Sequence, residues 1–250
     1  MKKRKRYVIS DIHGNARPFL KLLDHVDPDP EDLIILGDLG DRGFQTWEVF
    51  EECAQLVDEG TDIVMGNHDF WFLQYSDNKM TYAEFTHESI GGLTTLKSFE
   101  IAGKKRGNDH VSKTVAKVYE SMCFYYEADD YIFVHAGIDP RLPYMDVQKP
   151  EVLMMGCDDW RNPKLEHTFD QTVIFGHTPT PRIHKAITED DARIWSSKRA
   201  KKMAIDTGAG FGLRLTLADL HEGIAYAYDF EQDRILEYRF KKKERGEWRQ

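Results

Sequence analysis

Short apolar runs recur along the chain, and each stops abruptly at a polar, glycine-containing cluster. Tyr7-Val8-Ile9 leads into Ser10-Asp11-Ile12-His13-Gly14, and Leu33-Ile34-Ile35-Leu36 into Gly37-Asp38-Leu39-Gly40-Asp41-Arg42-Gly43. Ile63-Val64-Met65 runs into Gly66-Asn67-His68-Asp69, and Tyr131-Ile132-Phe133-Val134 into His135-Ala136-Gly137. Val173-Ile174-Phe175 ends at Gly176-His177-Thr178, and Met203-Ala204-Ile205 at Asp206-Thr207-Gly208. Continuous apolar runs of this length suit strands buried on both faces. Helical patterns lie between several of them: Phe19, Leu20, Leu22, Leu23 and Val26 share one face, and Trp47, Phe50, Ala54 and Val57 another. Strand-helix-strand order predicts an α/β fold with largely parallel pairing and right-handed crossovers. In such sheets ligands gather beyond the carboxyl ends of the strands. Every polar cluster falls at that end, so residues distant in sequence are expected to meet there.

Residues 70–128 interrupt this rhythm. Val111, Val115, Val118, Tyr119 and Met122 recur at helical spacing, with breaks at Gly91-Gly92 and over residues 103–107. A mostly helical insertion is expected, either covering the site as a lid or extending the core. After Gly210 the pattern alternates through Leu213, Leu215 and Leu217, then Ala225, Ala227 and Asp229, then Ile235-Leu236 and Tyr238. Antiparallel strands with turns at residues 219–223 and 231–233 follow. The whole of residues 1–250 reads as one domain carrying that insertion.

Composition narrows the function. Among 250 residues, 43 Asp and Glu outnumber 34 Lys and Arg, a formal charge of −9. This acidic balance argues against a nucleic-acid partner, whose phosphates require a basic face. Cys53, Cys123 and Cys157 have no C-x-x-C spacing and read as free thiols. The basic start is followed by only Tyr7-Val8-Ile9 before Ser10-Asp11, too short for a signal peptide or a membrane span. A cytoplasmic protein without a membrane partner is expected, and residues 241–245 read as a solvated tail.

The strand ends collect Asp11, His13, Asp38, Asn67, His135 and His177. Two carboxylates, one amide and three imidazoles without a thiolate suit Mn²⁺, Fe²⁺ or Zn²⁺ better than Ca²⁺ or a soft metal. Six ligands exceed the need of one tetrahedral ion and match two ions sharing a bridge. Two ions about 4 Å apart clamp the attacking and leaving oxygens of a phosphoryl displacement and lower the pKa of a shared water. His68 is placed to act as general acid, with Asp41 to hold its imidazolium. Arg42 and Arg161 offer planar bidentate donors for phosphate oxygens. His25, His87, His110, His167, His184 and His221 have no such context.

Asp11-Ile12-His13-Gly14, Gly37-Asp38-Leu39-Gly40-Asp41-Arg42-Gly43 and Gly66-Asn67-His68-Asp69 resemble the three signature blocks of metallophosphoesterases, with His135 and His177 as the downstream histidines. The Asp41-Arg42-Gly43 ending and Ile205-Asp206-Thr207-Gly208-Ala209 resemble the phosphoprotein phosphatase family in its bacterial and bacteriophage lambda form. The resemblance covers residues 7–217. It implies a four-layer α/β/β/α sandwich of two mixed sheets. It also implies that Asp11 and His13 bind a first metal, that Asp38 bridges, and that Asn67, His135 and His177 bind a second. Mn²⁺ is the preferred ion. Direct attack of a metal-bridging hydroxide is implied, with His68, backed by Asp41, as proton donor. Arg42, Asn67, His68 and Arg161 would contact the substrate, and the Asp159-Trp160-Arg161 block is similar to the family's second phosphate arginine. Ser10 stands where the family usually has glycine, and Asp69 where eukaryotic members have glutamate. Ala136 is shared with bacterial diadenosine tetraphosphatases. The implied substrates are phosphoserine and phosphothreonine in proteins, with a diadenosine tetraphosphate or another small phosphate ester as the alternative. A metal-bound scaffold without catalysis would be expected to lose His68 and Asp41, and both are present.

Overall fold

Strands buried on both faces need two packing partners, and here these are a second sheet and a layer of helices. The computed structural model describes residues 4–128, 130–162, 164–184 and 191–240. Residues 241–245, expected as a solvated tail, lie outside them.

The first sheet has β1 (Tyr7–Ile9), β2 (Leu33–Ile35), β3 (Asp62–Val64) and β4 (Met122–Cys123) in parallel. On the other side of β1, the antiparallel β10 (Arg214–Asp219), β11 (Ile224–Asp229) and β12 (Arg234–Arg239) complete the order β12-β11-β10-β1-β2-β3-β4. The second sheet runs β5-β6-β7-β9-β8. It consists of β5 (Tyr125–Glu127), β6 (Tyr131–Val134), β7 (Thr172–Phe175), β8 (Trp195–Ser197) and β9 (Lys202–Ala204). Strands β6, β7 and β9 are parallel, and β5 and β8 are antiparallel edges.

Alternation along each strand sorts its side chains into three layers. Ile9, Ile35 and Ile63 face Phe19 of α1 (Ala16–Val26), Phe50 of α2 (Thr46–Asp58) and Val118 of α6 (Asn108–Ser121). Val8, Ile34 and Val64 point the other way, into Phe133, Ile174 and Met203 of the second sheet. That sheet's far face carries Ile132, Val134, Val173 and Phe175 against Leu153 of α7 (Pro150–Met155) and Trp160 of α8 (Asp158–Arg161). The four-layer α/β/β/α arrangement of two mixed sheets follows, as expected. Phe50 and Phe133 are buried in two of these layers. Truncating either to alanine would cost about 3–5 kcal/mol.

The insertion differs in detail from its expected outline. Its first helix, α3 (Asn67–Ser76), begins at the polar cluster itself, so Asn67 and His68 lie on an opening helical turn. After α4 (Tyr82–Phe85), α5 (Gly92–Arg106) runs straight through Gly103, and only Gly107 separates it from α6. Gly103 is a packing glycine: a Cβ there would sit 2.1 Å from Asn108 Oδ1. The end of the expected insertion is extended, and the chain passes from the first sheet to the second between Cys123 and Tyr125. The edge strand β8 also goes beyond the strands expected from sequence. None of the three cysteines forms a disulfide; Cys53 is buried and the other two half-buried. No helix of the described residues is long and apolar enough to cross a membrane.

Candidate active site

Six parallel strands stop at the same edge, and the residues just beyond them converge. Asp11 follows β1, Asp38 follows β2, Asn67 follows β3, His135 follows β6, His177 follows β7 and Asp206 follows β9. The turns are tight. Asp11, His13, Asp38, Asp41, Arg42 and His177 all hold φ between +48° and +67°. Asp and His tolerate this region better than most residues, and such backbone strain gathers at functional sites. Asp69 ties the loops together, its carboxylate accepting from the backbone N–H groups of Gly66 (2.9 Å), Asp38 (2.8 Å) and Leu39 (3.0 Å).

The imidazoles are oriented by backbone carbonyls. His13 Nδ1 lies 3.0 Å from Gly40 O, and His135 Nδ1 lies 2.6 Å from Leu36 O. A carbonyl only accepts, so each Nδ1 carries the proton and each Nε2 presents a lone pair. His13 Nε2 faces Asp38 Oδ2 at 3.6 Å and Asp11 Oδ1 at 4.0 Å. His135 Nε2 faces Asp38 Oδ1 at 3.5 Å. One end of the Asn67 amide lies 3.0 Å from His135 Nε2 and 2.6 Å from His177 Nδ1. With its nitrogen turned inward, that amide would donate to both rings. With its oxygen inward, three acceptors face one another, the arrangement a cation satisfies.

Potential ligand atoms form two groups, one of His13, Asp38 and His68 and one of Asp38, His135 and His177, the atoms within each lying no more than 4.8 Å apart. Asp38 belongs to both, as a bridge would. Asp11 lies beside the first group, its carboxylate accepting from Ser10 Oγ and from His177 N at 3.0–3.1 Å. Burial pushes Asp11 and Asp38 well above the usual carboxylate range, with Asp206 adding to the first and Asp11 to the second. Burial likewise holds His13 and His135 well below the ordinary imidazole value. His177 is held at about 4 by burial and then by Arg161, Arg42 and Arg182. Unprotonated imidazoles around buried carboxylates fit a divalent cation, which needs the first and ionises the second.

His68 Nδ1 contacts Asp41 Oδ2 at 2.8 Å. Burial raises Asp41 to about 7 and lowers His68 well below its usual value, with Arg42 adding to the latter shift. Asp41 is held from the insertion. Thr95 Oγ1 on α5 donates to Asp41 Oδ1 at 2.6 Å and accepts from Asp41 N at 2.8 Å. Arg42 N donates to Gly91 O at 3.2 Å, and a Cβ on Gly91 would meet the Arg42 backbone. The insertion extends the core through Val118, contributes Trp71 and Ser89 to the cavity lining, and buttresses the Asp41-Arg42 turn.

Arg42 is half-buried and spans two rings, with Nη1 2.9 Å from His13 Nε2 and Nη2 3.1 Å from His68 Nε2. Arg161 reaches the rim and not the cluster: it is exposed, donating to Asp158 Oδ1 (2.8 Å) and Met155 O (3.3 Å). Buried Lys202 holds the backbone on both sides of Arg161, donating to Trp160 O and Asn162 O at 3.1 Å each. Above these groups lies a cavity of about 520 Å³. Its lining includes Asp38, His177 and the three arginines 42, 161 and 182, together with the aromatic residues Trp71, Trp160, Phe175 and Trp195.

Thr95, Lys202 and Arg182 were not readable as site residues. Thr95 contacts Asp41 across 54 positions, with no motif to announce it. Arg182 lies five residues past His177 on α9 (Thr180–His184), and that proximity was its only signal.

Residues 5–206 match the family model described as calcineurin-like phosphoesterase. The asymmetrical bis(5'-nucleosyl)-tetraphosphatase PrpE of Anoxybacillus flavithermus is 26% identical over 236 residues, 84% of this chain and 87% of the relative. The symmetrical bis(5'-nucleosyl)-tetraphosphatase of Nitrosomonas europaea is 25% identical over 190 residues, 75% of this chain but only 63% of the relative. A crystal structure provisionally assigned as a diadenosine tetraphosphatase superposes with a TM-score of 0.59 at 19% identity, covering 95% of both chains. A cold-active protein-tyrosine phosphatase of a Shewanella species superposes with a TM-score of 0.56 at 16% identity, over 93% of this chain and 80% of that one. At such identities the two structures establish the fold.

Proposed function

The chain belongs to the calcineurin-like phosphoesterase family, and from that premise we propose that it hydrolyses dinucleoside polyphosphates with two divalent metal ions, Mn²⁺ by preference. The observation that carries this reading is the cavity. Its cluster of carboxylates and imidazoles continues into a cavity wall that includes two half-buried indoles, Trp71 and Trp195. A nucleobase linked to the reacting phosphate has the flat apolar surface such a wall stacks against. A phosphorylated serine side chain has none. The names of the curated relatives support the same substrate. The phosphoserine and phosphothreonine reading becomes the second one, on the same machinery.

Bound to Asp11, His13, Asp38, Asn67, His135 and His177, the ions would supply a water ionised near neutral pH and would offset charge on phosphorus. The remaining steps belong to the protein. Arg42 rests on the lone pairs of His13 and His68. A cation on His13 would take that place and leave the guanidinium to grip two phosphate oxygens. His68, relieved of Arg42, would take up a proton on Nε2, and Asp41 would stabilise the imidazolium. That proton would pass to the leaving oxygen as the P–O bond breaks, so that hydrolysis yields two shorter phosphates and no phosphoenzyme. Arg161 would bind at the rim.

Purified protein loaded with Mn²⁺ should be assayed in parallel on diadenosine tetraphosphate, a phosphoserine peptide and p-nitrophenyl phosphate, with products resolved chromatographically. A kcat/KM at least about tenfold higher on the tetraphosphate than on the peptide is expected. The reverse order would install the phosphoprotein reading, and no turnover with any ester or ion would restore the scaffold.

A further inference from the structure

Three arginines line the mouth of the cavity, and they are held in different ways. Arg42 lies on two imidazoles and Arg161 on Asp158. Arg182 differs: its guanidinium lies over the ring of Phe211, 5.2 Å from the centroid. The Arg42 guanidinium lies 4.8 Å from the centroid of that same ring.

Phe211 closes a 3₁₀ turn, Ala209–Phe211, and is 53% exposed, unusual for a phenyl group. The turn fits closely against the site, since a Cβ on Gly210 would lie 2.6 Å from Arg42 Nη1 and 2.5 Å from His13 Cδ2. One aromatic ring therefore couples a guanidinium over the cluster to a second one farther out. Stacking occupies the flat face of a guanidinium and leaves its N–H edge available for bidentate bonding to phosphate. Arg182 lines the same cavity as Asp38, Asn67, His68 and His177, which places it on the approach to the reacting centre.

We propose that Arg182, stacked on Phe211, binds the phosphates beyond the one attacked and so selects a phosphate chain over a single phosphate ester. This rests on the polyphosphate reading above, and it makes Phe211 a positioning residue for two arginines.

The test uses the full chain loaded with Mn²⁺. The variants are Arg182→Ala, Arg182→Lys and Phe211→Leu, with kcat and KM measured on diadenosine tetraphosphate and on p-nitrophenyl phosphate. Tripolyphosphate and orthophosphate are compared as inhibitors of the second reaction. Losing a charge-assisted bidentate contact should lower the ratio of the two kcat/KM values about 10- to 100-fold in Arg182→Ala, through KM for the tetraphosphate. Tripolyphosphate inhibition should weaken by a similar factor while orthophosphate inhibition holds. Arg182→Lys should recover part of the loss, and Phe211→Leu should fall between. Equal losses on both substrates, or a wild-type protein that binds tripolyphosphate no better than orthophosphate, would overturn the proposal. If the wild type cleaves p-nitrophenyl phosphate but not the tetraphosphate, the substrate reading fails alone, and the tripolyphosphate comparison still decides on Arg182.

Discussion

The two sheets contribute opposite kinds of parts to one site. The first brings Asp11, His13, Asp38, Asp41 and His68, all buried, mostly in turns at positive φ, and pinned by Asp69 and Thr95. The second brings buried His135 and half-buried His177. It also brings Arg161 and Arg182, which ride on helices of four and five residues. Bond-making chemistry needs fixed geometry. Holding a long, charged substrate needs cations that keep contact with water. Under the proposed function, the difference teaches that the fixed parts of the reaction come mainly from the first sheet, while the short helices of the second add solvent-facing cations to a cavity that Arg42 and Trp71 also line.

Replacing Asp38 should break both halves at once. Asp38→Asn is expected to lose bound metal and about 10³-fold or more of the rate; metal analysis with an ester assay checks it, and normal metal content with full rate would sink the bridge. His68→Ala should act on the first half alone, keeping metal while losing about 10²- to 10⁴-fold on alkyl phosphates. Aryl phosphates and anhydrides, with better leaving groups, should suffer less, and an equal loss across leaving groups would argue against proton donation. Thr95→Ala tests the buttress: kcat should fall about tenfold with KM nearly unchanged, and Thr95→Ser should restore it. An unaltered kcat would reduce Thr95 to packing.

The smallest effect concerns the second half. Burial holds Lys202 at about 8, below its ordinary value of 10.5. Between those values the unfolded chain binds a proton that the folded chain does not, so folding gains stability as pH rises. Urea unfolding of the wild type compared with Lys202→Met should show the difference growing in favour of the wild type from about pH 8 to 10.5 and level below it. A flat difference would mean that the amine beneath Arg161 keeps its ordinary basicity.

Much of this was legible because strand and chemistry are adjacent in sequence. Asp11, Asp38, Asn67, His135 and His177 each follow a buried apolar run, and parallel pairing brings such positions to one edge. Contacts that join elements without a local signature were not legible. Thr95 looks like any helical threonine until Asp41 is brought beside it. Gly103 reads as a break because its neighbour Asn108 comes from the next helix. The two-sheet division was implied by resemblance, since apolar strands alone do not say which sheet they join. Substrate preference was least legible, because the ligand blocks serve any phosphate ester and Arg182 belongs to none of them.

The order of the chain carries one more consequence. β1 precedes the other strands of the described residues, yet its flank is completed only by β10, with Tyr7 opposite Asp219. Asp11 receives the N–H of His177 from 166 positions away. Such non-local contacts form late in folding. Residues up to His177 must therefore be in place before Asp11 gains that partner. A chain that stopped short of that point would lack both the backbone donor to Asp11 and the imidazole of His177, and with them part of the candidate metal site.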